Sequence, residues 1–185
     1  AVLEALVGEV ERLKAAWDAA AAPIELVELV FADDAAVDGS PDLAEHLATR
    51  HGWIRVIHLS RNYGQHAATA AGVLHTVGDW VATLDEDLQH PPARLPLLLA
   101  CAVRESADVV YAAPTAGPHR RRWRNWTSRT YKRRLGWLSG NPTVRHFNSF
   151  RVVRGPIARA AGSVIGHDGY LDVVLGWFTA RVQTV

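Results

Sequence analysis

Short apolar runs alternating with longer helical stretches constrain this chain more than any other feature. Glu25 to Phe31 reads ELVELVF, a β-branched-rich run that predicts a buried strand ending at Asp33-Asp34. Asp38-Gly39-Ser40-Pro41 is turn chemistry, and Pro41 suits the first turn of a helix from about Asp42 to His51. The pattern then repeats: a strand at Trp53 to Leu59, an Ala-rich helix at Gly64 to Val77, a strand at Trp80 to Leu84. A helix at Pro92 to Arg104 and a strand at Asp108 to Ala112 follow. Such alternation produces parallel sheets through right-handed crossovers. Ahead of it, Leu3, Leu6, Val7, Val10, Leu13 and Trp17 recur at helical spacing, and Pro23 ends that helix. Beyond Pro114 the sequence predicts a long basic helix, a strand at Phe147 to Val153, a short helix at Pro156 to Ala161 and a last helix at Gly169 to Thr179. The expected architecture is one three-layer α/β domain spanning residues 1–185, with a mostly parallel central sheet. Its functional groups are expected at the C-terminal strand edge, where open parallel sheets bind ligands.

Composition narrows the function classes. With 49% hydrophobic and 21% charged residues, 185 residues suffice for one packed core, and disorder is excluded. No apolar run reaches the length of a bilayer-spanning helix. The single cysteine, Cys101, excludes a disulfide scaffold and a multi-thiolate zinc site, fits a reducing compartment, and reads as core packing within an apolar helix. The chain opens on Ala1-Val2-Leu3-Glu4 and contains no Met, which reads as a piece of a longer protein. Net charge is +1 but unevenly spread: Arg120 to Arg134 holds seven Arg and one Lys without a carboxylate. Taking those 8 from the 20 basic residues leaves 12 against 19 acidic ones, so the rest of the chain is an acidic body.

The sharpest candidate for chemistry is Thr83-Leu84-Asp85-Glu86-Asp87-Leu88-Gln89, an apolar strand running into three acids. Clustered carboxylates repel unless a cation joins them, and a hard divalent ion such as Mg²⁺ or Mn²⁺ suits oxygen donors and would bridge to a diphosphate. Strand alternation, if it continued, would point Asp85 and Asp87 the same way. The bland reading is a solvated acidic turn. Asp33-Asp34 forms a second acidic strand end, readable as a helix cap or as a base- or ribose-recognising pair. Ser60-Arg61-Asn62-Tyr63-Gly64-Gln65-His66 places a cation and a glycine at a helix N-terminus, which suits an anion or ordinary capping. Neither a dinucleotide nor a P-loop glycine fingerprint is present, the histidines show no HxxxH or HExxH, and no GxSxG elbow occurs. The Arg-rich strip, with Trp123, Trp126, Tyr131 and Trp137 interleaved, fits an anionic membrane surface, local phosphate binding or a solvated face. The acidic remainder opposes wrapping a nucleic acid.

In these motifs the sequence resembles family 2 glycosyltransferases of the GT-A, Rossmann-like fold, especially the branch that transfers sugars to polyprenyl phosphates. The likeness rests on ELVFADD with a following DGS, LSRNYGQHAATAAG, GDWVATLDEDLQHPP, DVVYA, the Arg-rich segment and NSFRVVRG. It implies a metal-dependent, inverting enzyme that takes a nucleotide-sugar donor and a polyprenyl-phosphate acceptor at the cytoplasmic face of a membrane. The alternatives are a soluble sugar acceptor or a non-catalytic nucleotide-binding domain. By resemblance, Asp33, Asp34, Arg61 and Asp85 bind the nucleotide-sugar, and Asp85, Asp87 and Gln89 hold Mg²⁺ or Mn²⁺. Arg124, Ser128, Arg129 and Arg151 grip the acceptor phosphate, with Asp87, Arg124 and Arg129 acting in catalysis. The family's opening strand, with its Pro-Tyr-Asn-Glu loop, and its C-terminal membrane segment have no counterpart in these residues, so a sheet lacking its first strand is expected. The family's Asp-Asp-Gly-Ser is Asp33-Asp34-Ala35-Ala36 here, without the flexible glycine.

Overall fold

The structure, a computed structural model, describes residues 2–113, 148–166 and 169–185. In chain order its elements are α1 (Val2–Ala19), β1 (Leu29–Asp33), α2 (Ser40–Arg50), β2 (Ile54–His58), α3 (Gln65–Leu74) and β3 (Trp80–Thr83). After a short 3₁₀ turn at Pro92–Arg94 come α4 (Leu95–Arg104), β4 (Val109–Tyr111), β5 (Arg151–Arg154), α5 (Gly155–Val164), α6 (Leu171–Phe178) and β6 (Val182–Thr184). The expected α/β alternation is present, with several boundaries moved.

β1 and β2 form a parallel pair whose register sets Asp33 against His58. A four-stranded sheet has the order β3-β5-β4-β6. β5 is antiparallel to both β3 and β4, and β6 is parallel to β4, so three strands of this sheet run one way and β5 alone is reversed. No ladder joins β1-β2 to this sheet among the described residues. Helices bridge the two instead. Leu3 and Val7 of α1 pack with Ala44, Leu47 and Ile54, whereas Leu13 of the same helix packs with Leu95, Leu98, Phe150 and Val152. On the opposite face, Val73 of α3 packs with Val81 and Val153, and α5 and α6 add Ala158, Ala161, Leu171 and Leu175. Alternate residues of β4 serve the two faces, Val110 joining α1 and α4 and Val109 joining α3, α5 and α6, which gives the three layers.

Boundary shifts have local causes. β1 starts at Leu29 rather than Glu25 because its first ladder bond is Leu29 N–H to the Trp53 carbonyl, 2.9 Å. The preceding Glu28 is instead used sideways, its carboxylate accepting the Val77 N–H at 2.6 Å and the Arg55 guanidinium at 3.1 Å. α3 stops at Leu74, short of Val77, where Thr76 turns its hydroxyl onto the Val73 carbonyl at 2.7 Å. β5 begins at Arg151, four residues later than expected, and α5 starts immediately after it. Gly155 permits that junction: a Cβ there would lie 2.2 Å from the Gly78 carbonyl oxygen. β6 is unforeseen, since three residues with a polar centre carry little strand signal.

One buried acid fastens the C-terminal elements. Asp108, 2% exposed, accepts from Arg154, Arg181 and the Thr179 hydroxyl at 2.7–2.9 Å. Burial alone would raise its pKa, but these donors outweigh it and hold the carboxyl down to about 2. The stabilisation is present above the ordinary carboxylate range and is lost only as pH falls toward that value. Cys101 is buried in the core, as expected of a packing residue. Among the described residues no helix is long and apolar enough to cross a membrane.

Candidate active site

The turn between β2 and α3 connects the two acidic strand ends. Asp34, just past β1, accepts the backbone N–H of Tyr63 on one carboxylate oxygen and that of Gly64 on the other, both at 2.7 Å. Gly64 sits at φ 91°, a conformation that L side chains rarely adopt, so the glycine of RNYGQ is needed for the turn itself. The next residue, Gln65, opens α3 and donates its side-chain amide to Asp85 Oδ1 at 2.6 Å. Arg61, in the same turn, lies over the Tyr63 ring at 4.7 Å.

At the end of β3 the expectation of strand alternation fails. Pairing stops at Thr83, so Asp85 and Asp87 belong to a loop and their environments differ. Asp85 is partly buried and receives the Ser149 hydroxyl on Oδ2 at 2.6 Å in addition to Gln65 on Oδ1. Ser149 is itself tied down, its carbonyl accepting the Thr83 hydroxyl at 2.7 Å. Glu86 and Asp87 are exposed. Among the described residues Asp87 accepts the Gln89 backbone N–H, at 3.0 Å, in a tight turn that Leu88 completes at φ 57°. Gln89 is exposed beside it.

Asp33 is held differently. One oxygen accepts the Ala36 N–H at 2.9 Å, and the other meets His58 Nδ1 at 2.9 Å. The other ring nitrogen of His58 meets Glu45 at 2.8 Å. Two ionised carboxylates can only accept, so the ring satisfies both when both nitrogens carry protons. Hydrogen bonding to Asp33 first, then to Glu45, raises the His58 pKa. Ala35 takes φ 57°, the left-handed conformation at the position where the resembling family carries glycine.

Arg151 of β5 pairs with Thr83 at the end of β3. It is 4% exposed, its guanidinium pairs with Asp172 and donates to the Asn148 carbonyl, and Asp172 also accepts the Tyr111 hydroxyl at 2.8 Å. Burial, followed by the Asp172 charge, pushes the Tyr111 phenol well above its ordinary range. The guanidinium therefore enters the site as a buried anchor. Arg124, Ser128 and Arg129, with the Arg- and Trp-rich strip around them, lie outside the described residues. Thus the structure draws Asp34, Arg61 and Asp85 together through one turn and leaves Asp87 and Gln89 open to solvent. His58, Gln65 and Ser149 are contributions that motif reading missed. Of these, His58 carried a signal, because parallel pairing of the two predicted strands sets it beside Asp33.

The chemistry of the donor set bears on the metal. Among the described residues no group of three or more His, Cys, Asp or Glu side chains is arranged to hold a metal ion by itself. Asp85, Asp87 and Gln89 are hard oxygen donors, the type that suits Mg²⁺ or Mn²⁺, and among the described residues they do not form a closed protein cage.

The architecture is that of GT-A glycosyltransferases. Staphylococcus aureus TarS (residues 1–349) superposes with a TM-score of 0.59 at 13% identity, covering 85% of this chain and 48% of that one. The mannosyltransferase PcManGT from Pyrobaculum calidifontis, solved with GDP-Man and Mn²⁺, gives 0.55 at 15% identity, covering 85% and 45%. At these identities the likeness concerns the fold. In sequence, residues 6–162 match the family Glycosyl transferase family 2, and the chain belongs to that family. It is 44% identical over 103 residues to the undecaprenyl-phosphate 4-deoxy-4-formamido-L-arabinose transferase of Pseudomonas aeruginosa (strain LESB58), covering 55% of this chain and 30% of the relative. The transferase of the same name from Proteus mirabilis (strain HI4320) is 37% identical over 160 residues, covering 83% and 47%. The chain thus spans less than half the length of these relatives.

Proposed function

We propose that this domain transfers a sugar from a nucleotide-sugar donor to a polyprenyl-phosphate acceptor, with inversion at the anomeric carbon. The observation that carries this reading is the joining of the two acidic strand ends by the Ser60–Gln65 turn within a family 2 domain. The names of the relatives supply the acceptor class.

In this mechanism an acceptor phosphate oxygen forms the new bond to the anomeric carbon as the bond to the nucleoside diphosphate breaks. The acceptor oxygen is already anionic near neutral pH, so no strong general base is required. Asp34 and Arg61 bind the nucleoside side of the donor together with Asp33, and Asp85 orients it. Asp87 and Gln89, with Asp85, would hold Mg²⁺ or Mn²⁺. When bound, that ion supplies positive charge to the departing diphosphate, a contribution of several kcal/mol in comparable sites. Arg124, Ser128 and Arg129 grip the acceptor phosphate, and the Trp residues beside them meet the membrane surface. The resemblance also assigns Arg151 to the acceptor phosphate, and its guanidinium is paired with Asp172.

The test supplies the protein with labelled nucleotide-sugars, Mn²⁺, polyprenyl phosphate and soluble glycosides in parallel. Label is expected in the polyprenyl product. Label only in a soluble glycoside, or in neither acceptor, contradicts the proposal.

A further inference from the structure

Among the described residues the loop that carries Asp85 has little backbone support. β3 pairing ends at Thr83, Leu88 is in the left-handed region, and the next regular element begins at Pro92. A carboxylate in such a loop would ordinarily rotate, and ordering it on ligand binding would cost free energy. Here both oxygens are held by side chains from elements far apart in sequence. Gln65 comes from the start of α3 and Ser149 from the residues just before β5, each at 2.6 Å. Next to a carboxylate only the amide NH₂ end of Gln65 can approach so closely, which fixes the orientation of that side chain. Neither holder is itself loose: the backbone preceding Gln65 is fixed by Asp34, and the Ser149 carbonyl by Thr83.

We propose that Gln65 and Ser149 are positioning residues that pre-orient Asp85 for the nucleotide part of the donor. The proposal rests on the reading of this site as a nucleotide-sugar site. A carboxylate offers about four lone-pair directions, so two donors from the protein leave two for a ligand. The same arrangement makes the Ser60–Gln65 turn a coupler. A change at Asp34 displaces Gly64, with it Gln65, and thereby Asp85, linking two strand ends that share no ladder among the described residues.

Calorimetric titration of the chain with nucleoside diphosphates in the presence of Mn²⁺ tests this. Gln65→Leu and Ser149→Ala should each weaken binding about tenfold, the scale of one hydrogen bond to a charged group. Ser149→Thr, which keeps the hydroxyl, should bind as the unaltered chain does. In an Asp85→Ala background, Gln65→Leu and Ser149→Ala should add no further loss, a result that a merely structural role would not produce. Should one variant fail to fold, the Ser149→Thr comparison and the other arm of the cycle decide. Unaltered binding in Gln65→Leu and Ser149→Ala, or losses fully additive with Asp85→Ala, overturn the inference alone. Absence of Mn²⁺-dependent binding by the unaltered chain overturns the functional reading and this inference with it.

Discussion

At the end of β1, Asp33 and Asp34 turn their oxygens inward, onto backbone N–H groups of their own loop and of the Tyr63-Gly64 turn and onto His58. At the end of β3, Asp85 is held by two side chains, while Asp87 is exposed and, among the described residues, accepts one backbone N–H. The residue type is the same and the environment differs. A carboxylate that accepts two protein donors is held in one orientation with lone pairs left for a ligand, and an exposed one is free to turn toward a ligand. The difference separates acids held in place for a ligand from an acid left open to one.

Breaking the open end should have the largest effect. Asp87→Ala should lower transfer about 100-fold or more, since an ion on a departing diphosphate contributes several kcal/mol. Its melting transition should stay within about 0.5 kcal/mol of the unaltered protein, because the side chain is exposed. Asp34→Ala should lower both transfer and stability, because Asp34 holds the turn that carries Gln65. Leaving two N–H groups without their acceptor should cost about 1–2 kcal/mol in a denaturant melt. Asp34→Asn, which retains one acceptor oxygen, should lose less.

Ala35→Gly sharpens the contrast from the stabilising side. A non-glycine residue at φ 57° carries strain of about 1–2 kcal/mol, part of which glycine returns as unfolded-state entropy, so a net gain of about 0.5 kcal/mol is expected in the same melt. The smallest effect is the pH response of His58. Its folded pKa is raised, so the clamp on Asp33 and Glu45 contributes fully below the ordinary imidazole value and is lost as pH rises through the raised one. Melting temperature should decline over that window, and His58→Gln should remove this step.

Much of the fold was legible because strands and helices here differ in period and in the residues that punctuate them. Pro41, Gly64 and the acids after Phe31 and Leu84 mark element ends in the sequence, and the structure places elements there with small shifts. The reversed β5 and the added β6 were not legible, since strand direction and edge pairing depend on contacts between residues far apart in the chain. The acids of the candidate site were readable as motifs. Their partners were not: Gln65 and Ser149 are separated from Asp85 by 20 and 64 residues, and only folding brings them to it. Arg151 shows the same limit. Its motif was legible, and its pairing with Asp172, 21 residues away, was not.

The claim on which the rest depends is that these strand-end acids together form a metal-assisted nucleoside diphosphate site. Titrating the chain with nucleoside diphosphates, with Mn²⁺ and then with a chelator, tests it most directly. Saturable binding of one nucleotide per chain that needs Mn²⁺ and disappears in Asp87→Ala is the predicted result. Binding that ignores both the metal and Asp87, or no binding at all, would contradict it.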